Sequence, residues 1–184
     1  DTEMTGLLKD KTVLVVGRGG GLAQAVVLAA RDEGAALAAA YQGEPGVRTE
    51  HADLSDEASI AALGERLGSL DHLVSTASAR ARGRIGDPIA VAITNAAADT
   101  LTRSLALELA PVRVNAISPG VIDTGAWDAL GEQGKADYFA DIAARNPVRR
   151  IGTAGDIAQA VMFALTNSFL TGQTLHVDGG EPLT

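Results

Sequence analysis

Apolar and β-branched residues run without polar alternation from Thr12 to Val16, which predicts a strand buried on both faces, as in a parallel sheet. Gly17, Gly19, Gly20 and Gly21 follow at once, and Leu22 to Glu33 then reads as a helix with Leu22, Val26 and Ala29 or Ala30 on one stripe. Gly34 supplies a left-handed stop. Farther on, strand patterns fall at Ala36–Ala40, Thr49–Leu54, Leu70–Ser75 and Val112–Ser118, with a last one inside Leu170–Gly180. Helical spacing recurs between them. Ile60, Leu63 and Leu67 mark a helix beginning at Ser55-Asp56-Glu57, and Ile93, Ala97, Leu101 and Leu105 mark a long one over Ala90–Leu109, ended by Pro111. A shorter helical piece covers Ala136–Ala144. Thr153 and Asp156 form a capping box for a final helix with Ile157, Val161 and Ala164 or Leu165 turned inward. Strands and helices that alternate with short connections predict an α/β fold with a doubly wound parallel sheet, in a single domain over residues 1–184.

The first strand, glycine turn and helix form one chemical unit. Bare glycines let main-chain N–H groups approach a ligand, and a helix N-terminus carries unsatisfied donors and partial positive charge. The unit therefore suits the diphosphate of a dinucleotide, with a structural turn as the competing reading. Cofactor choice rests on the end of the second strand, where an acid would hold the ribose hydroxyls of NAD and an Arg the extra phosphate of NADP. Tyr41 and Gln42 stand there, while Glu44 falls in a Pro45-Gly46 loop. The missing acid, with Arg18 in the glycine turn, favours NADP over NAD.

Composition narrows the function classes. The 184 residues are 46% hydrophobic and 21% charged, a globular balance. A formal charge of −8 argues against non-specific nucleic-acid binding. Without cysteine there is neither disulfide nor thiolate metal site, and His51, His72 and His176 lack ligand spacing, so no metal is expected. No apolar run approaches the ~20 residues of a membrane span, and the N-terminal residues lack the apolar segment of a signal peptide. A cytoplasmic location is the expectation.

Gly17-x-x-x-Gly21-x-Ala23 resembles the glycine motif of the short-chain dehydrogenase/reductase family, with Ala23 in place of a third glycine. The resemblance is strongest in LTRSLALELAPVRVNAISPGVIDT and continues to the Asp178-Gly179-Gly180 ending. It implies a dinucleotide held by Gly17, Arg18, Gly19, Gly20, Gly21 and Leu22, with Asp53 and Leu54 at the adenine. Asp53 also reads as an ordinary carboxylate near a helix start. Thr76 and Ala77, in a segment similar to the family's Asn-Ala-Gly, would border the cofactor. Pro119, Gly120, Val121 and Ile122 would border the nicotinamide, and Thr124 the diphosphate. Trp127 either closes over a ligand or fills a gap. Family members transfer hydride between the nicotinamide and a carbonyl or alcohol, and associate through the long helix. The resemblance thus implies a small carbonyl or alcohol substrate and a homo-oligomer through residues 90–109, with Leu107 or Ala98 on the outer side.

Two departures stand out. The family's catalytic Tyr and Lys positions carry Val91 and Asn95, so Asn95 is the only polar residue there. Valine cannot move a proton, and a neutral amide cannot depress a neighbour's pKa. Loss of a positioned acid costs on the order of 10²–10⁴-fold in rate. Ser75, Thr76, Ser78 and Ser118 have no base at recognisable spacing, and the catalytic residues stay unassigned. The second departure is length, because only Ala79–Ile89 separates the fourth strand from the long helix where the family has another helix and strand. Either the chain is truly short here, or a segment is missing from the sequence, with Asp87-Pro88 as the seam. Oxidoreductases with an altered active site and non-catalytic dinucleotide-binding modules both satisfy these facts.

Overall fold

β1, Thr12–Val16, lies at the centre of a four-stranded parallel sheet because its side chains are apolar in both directions. Described in this computed structural model are residues 6–17, 20–39, 46–76 and 88–183, without the side chains of 38, 39 and 88–92. They divide into two compact units, residues 1–78 and 79–184.

In the N-terminal unit the strand order is β3-β2-β1-β4, with β2 at Ala36–Ala39, β3 at Val47–Thr49 and β4 at His72–Ser75, all parallel. α1, Leu22–Asp32, returns the chain from β1 to β2 and buries Ala23, Val26, Val27 and Ala30. α2, Glu57–Leu67, precedes β4, and its Leu63 packs with Leu14 of β1. Strand alternation turns Val13 and Val15, both fully buried, to the opposite face, where α1 contacts β1. The sheet is therefore covered on both sides. Gly34 takes φ +84° just past α1, as the sequence predicts.

Three bounds differ from the sequence reading. β3 comes earlier than Thr49–Leu54, because Glu50 pairs with Arg48 at 2.6 Å and Arg66 at 3.0 Å, and Asp53 enters a turn with Ser55. β4 begins at His72 and not at Leu70, since the Asp71 carboxylate accepts the Thr12 N–H at 2.8 Å and the Lys11 ammonium at 3.1 Å. These donors, the Thr12 amide first, hold the Asp71 carboxyl below its ordinary pKa. On α2, Ile60 stays 44% exposed, so Leu63 and Leu67 carry the packing that three residues were expected to share.

The C-terminal unit pairs β5, Ala116–Pro119, with β6, Thr174–Val177, in a parallel ladder. Its helices are α3, Pro88–Glu108; α4, Gly131–Arg145; and α5, Ala154–Thr166. α5 buries Ile157, Ala158 and Val161 and contacts both strands. Arg113 closes its far end, donating to the carbonyls of Ala164 at 2.8 Å, Leu165 at 2.8 Å and Leu170 at 3.0 Å. A cation among the last free carbonyls of a helix also meets the negative end of its dipole.

β5 starts later than the expected Val112 because its preceding residues bond through side chains: the Val114 N–H to Thr171 Oγ1, and Asn115 to both Leu170 and Gln173. The last strand is likewise confined to Thr174–Val177. α4 is longer than the expected 136–144 and follows a single 3-10 turn at Asp128–Leu130. On α3 the expected inward stripe is mostly outward: Ile93 is 65% and Leu101 57% exposed. Thr102, one residue on, is buried, and Asp99 accepts the Thr174 hydroxyl at 2.7 Å. A two-stranded sheet covers only a narrow line of a 21-residue helix, and that hydrogen bond fixes which line.

The capping box is as the sequence predicts. Thr153 Oγ1 accepts the Asp156 N–H, and the Asp156 carboxylate accepts the Thr153 N–H at 2.7 Å and both Arg150 guanidinium nitrogens at 2.7 and 2.8 Å. Those bonds, Arg150 first, hold the Asp156 carboxyl far below its usual range.

Two predictions follow from this packing. Gly179 and Gly34 both have positive φ, +68° and +84°, but a β-carbon at Gly34 would meet only Lys9 at an ordinary 3.6 Å, whereas at Gly179 it would lie 2.7 Å from the Asn146 amide and Val148. Each change to alanine incurs about 1–3 kcal/mol of backbone strain. Gly179→Ala adds overpacking of about 1–3 kcal/mol, so its urea midpoint falls well below that of Gly34→Ala, and equal midpoints refute the packing. Second, a depressed carboxyl contributes stability that is complete above the unfolded pKa of about 4 and lost as pH falls toward the folded value. Asp156→Asn therefore flattens the loss of stability with acid below about pH 4 and leaves the slope above pH 5 unchanged.

Candidate functional site

The carboxyl edge of the four-stranded sheet is built from the ends of β1 and β4. The Thr76 N–H donates to Val16 O at 2.8 Å, and the Thr76 hydroxyl also points to Val16 O, at 3.3 Å. Gly17 follows in this junction. A β-carbon there would lie 2.1 Å from Thr76 Oγ1 and 3.1 Å from the Ala23 β-carbon, so any other residue would require Thr76 to give way. Among the described residues nothing stands within 4 Å of a β-carbon added at Gly20. Gly21 caps α1 with φ 57°, and Leu22 is the first helical residue. Its N-cap, Gly21, has no side chain to cap the helix, and no acid lies in the first turn. An open, glycine-lined helix start with its dipole uncompensated at the carboxyl edge of a parallel sheet is suited to a diphosphate.

Asp53 and Leu54 follow β3 at the same edge of the parallel sheet. Asp53 Oδ1 accepts the Ser55 hydroxyl at 2.6 Å and the Ser55 N–H at 2.9 Å, which hold its carboxyl below the ordinary pKa. The α2 cap is Asp56, accepting the Ala58 N–H at 3.0 Å, so Asp53 is released from that duty. Leu54 is 51% exposed. Arg18, Gly19, Ala77 and Ser78 lie outside the described residues. So do Tyr41, Gln42, Glu44 and Asp87, and the side chain of Val91.

In the C-terminal unit, Pro119 ends β5 and is exposed, and Gly120 follows with its N–H bonded to Val177 O. A β-carbon on Gly120 would sit 2.7 Å from the Asp178 α-carbon, so this glycine lets two main chains touch. Ile122 is 6% exposed, and its Cδ1 fills the space above Gly152. Its side chain is core, leaving its main chain for any ligand. Thr124 is partly exposed.

Trp127 donates its indole N–H to Ile122 O at 3.1 Å and lies 4.8 Å from the Tyr138 ring, tilted 35°. These contacts favour the gap-filling reading. Lys135 bridges Asp123 at 2.7 Å and Asp128 at 2.8 Å and stands 5.5 Å from the Phe139 ring centre, so the segment after Thr124 is fastened to α4. Hydrogen bonds to Asp123 and then Asp128 raise the Lys135 pKa. The sequence reading missed Lys135; its only signal was the Asp123, Asp128, Lys135 spacing, which no helical or strand period explains. Asn95 is exposed on α3. Among the described residues no group of His, Asp and Glu is arranged to hold a metal, and no helix is long and apolar enough to cross a membrane.

Comparison with known proteins agrees with this architecture. A family model described as enoyl-(acyl carrier protein) reductase matches residues 61–181. The short-chain reductase protein NovJ of Streptomyces niveus is 38% identical over 130 residues, 66% of this chain and 49% of the relative. A 3-oxoacyl-[acyl-carrier-protein] reductase of Buchnera aphidicola is 40% identical over 82 residues, 42% of this chain and 32% of the relative. The chain thus spans about half the length, or less, of these curated relatives. Among solved structures, a small-chain dehydrogenase in complex with NADPH superposes with a TM-score of 0.73 at 26% identity, over 95% of this chain and 99% of that one. The ligand-free aldohexose dehydrogenase of Thermoplasma acidophilum, at 24% identity, shares the fold with a TM-score of 0.82 over 98% and 97%. With its parallel sheet, flanking helices and the matched segment, the chain belongs to the short-chain dehydrogenase/reductase family.

Proposed function

We propose that this chain is a single dinucleotide-binding domain of the oxidoreductase type, with NADPH as its preferred cofactor and an altered active site. The observation that carries the reading is the uncapped, glycine-lined start of α1. The NADPH complex of a relative at 26% identity supports the choice of cofactor. By the resemblance, Gly17 to Leu22 hold the diphosphate, and Asp53 and Leu54 face the adenine. The bound cofactor supplies or removes a hydride at its nicotinamide, with a carbonyl or alcohol as the partner.

What the chain's own residues contribute to proton transfer is reduced. Asn95 is exposed and neutral, able to hydrogen-bond a ribose hydroxyl but not to stabilise a neighbouring phenolate. Protonation of the product oxygen then falls to solvent or to a group outside the family's usual pair. That same observation favours a second reading, a binding module without turnover. An exposed position for Leu107, 82% accessible on α3, supports association of copies through that helix.

Binding and turnover separate the readings. Titration with NADPH is expected to give saturable binding, and Gly20→Asp, which places a like charge beside the helix start at a position with room for a side chain, to weaken it at least tenfold, about 1.4 kcal/mol; an unchanged affinity removes the diphosphate assignment. Nicotinamide absorbance followed across a panel of small carbonyls is expected to show slow turnover, and tight binding without any turnover establishes the module instead.

A further inference from the structure

Between β5 and α4 the chain passes from the buried Ile122 through Asp123 to the 3-10 turn at Asp128–Leu130. Two glycines with left-handed φ bracket the middle of this stretch, Gly125 at +77° and Gly131 at +71°. One face of α4 holds it down. Lys135 Nζ reaches Asp123 Oδ1 at 2.7 Å and Asp128 Oδ1 at 2.8 Å, with only 24% of its side chain exposed. Three residues on, and so on the same helix face, Tyr138 lies against Trp127, whose indole N–H bonds Ile122 O.

We propose that residues 126–130 form a strap whose seating is set by the charge of Lys135. Ion pairs this exposed stabilise little one at a time; the larger effect is what the ammonium keeps apart. Two carboxylate oxygens lie within 2.8 Å of one nitrogen, and without that cation Asp123 and Asp128 face each other as like charges. Asp123 is the less free to withdraw. Its N–H bonds Gly152 O at 3.4 Å, the Gly152 N–H bonds Val121 O at 2.9 Å, and Ile122 between them is core. Asp128 stands on the strap itself, its side chain 67% exposed, directly after Trp127. The yielding partner is therefore Asp128, and it carries Trp127 away from Tyr138. Gly125 and Gly131 absorb the backbone change at the two ends, so α4 keeps its register. Lys135 thus couples α4 to the end of β5. None of this rests on cofactor binding.

Trp127 is the chain's one tryptophan, so its fluorescence reads the strap directly. Lys135→Met removes the charge and keeps an apolar stem beside Phe139. Acrylamide quenching of the full chain is expected to rise about twofold or more in that variant, as the open strap becomes populated. Adding Asp128→Asn takes the repulsion away and is expected to return quenching to near the wild-type value. Unchanged quenching in Lys135→Met, or a double variant as quenchable as the single one, overturns the proposal. Should Lys135→Met not fold, the double variant decides: a folded chain with wild-type quenching supports the strap, and a chain that is again unfolded, or folded with raised quenching, overturns it.

Discussion

Main chain meeting main chain or a short side chain, with no β-carbon between, is the constraint on which both units depend. Gly17 passes Thr76 where β1 and β4 end, Gly120 lies on the Asp178 backbone, and Gly179 on the Asn146 amide. Each contact sits beyond the carboxyl end of a strand. Glycine there lets neighbouring segments close up, and the same bareness opens N–H groups to a ligand. The fold and the candidate site are therefore set by the same residues. A substitution meant to probe binding at Gly17 also probes packing, whereas Gly20, with open space around it among the described residues, separates the two.

Long-period features were legible in the sequence, and features set by single side chains were not. The Thr12–Val16 run, the Gly34 stop and the Thr153/Asp156 box each encode a local preference that packing reinforces, and all are found where expected. β3, β4 and β5 are displaced because a charged or amide side chain, Glu50, Asp71 or Asn115, takes over hydrogen bonds at the strand end. Apart from Arg48, these partners lie 16 to 60 residues away, beyond any periodicity. The long helix shows the opposite failure: its apolar stripe at spacing four is real, but a two-stranded sheet covers only the neighbouring line through Thr102.

At the candidate site, the glycine turn was readable because its chemistry is main-chain chemistry and needs only glycine at fixed spacing. Asp53 illustrates a weaker signal. Two carboxylates three residues apart compete for one helix cap, and only the structure shows that Asp56 takes it. Lys135 was invisible for a different reason, since its role depends on elements that meet only after folding. That Val91 and Asn95 stand at the family's catalytic positions is an expectation carried by the resemblance alone, and the chemistry behind it is local: a valine and an asparagine cannot supply what a phenol and an ammonium do.

Everything functional rests on an anion being received by the amides between Gly17 and Ala23. The most direct measurement is the amide ¹H–¹⁵N spectrum of the chain with and without inorganic pyrophosphate and then NADPH. The account predicts that both ligands move the signals of Gly20, Gly21 and Leu22 more than those of the α4 or α5 starts, and that NADPH saturates at lower concentration. Signals from this turn that stay in place while NADPH binds elsewhere, or does not bind, would contradict it.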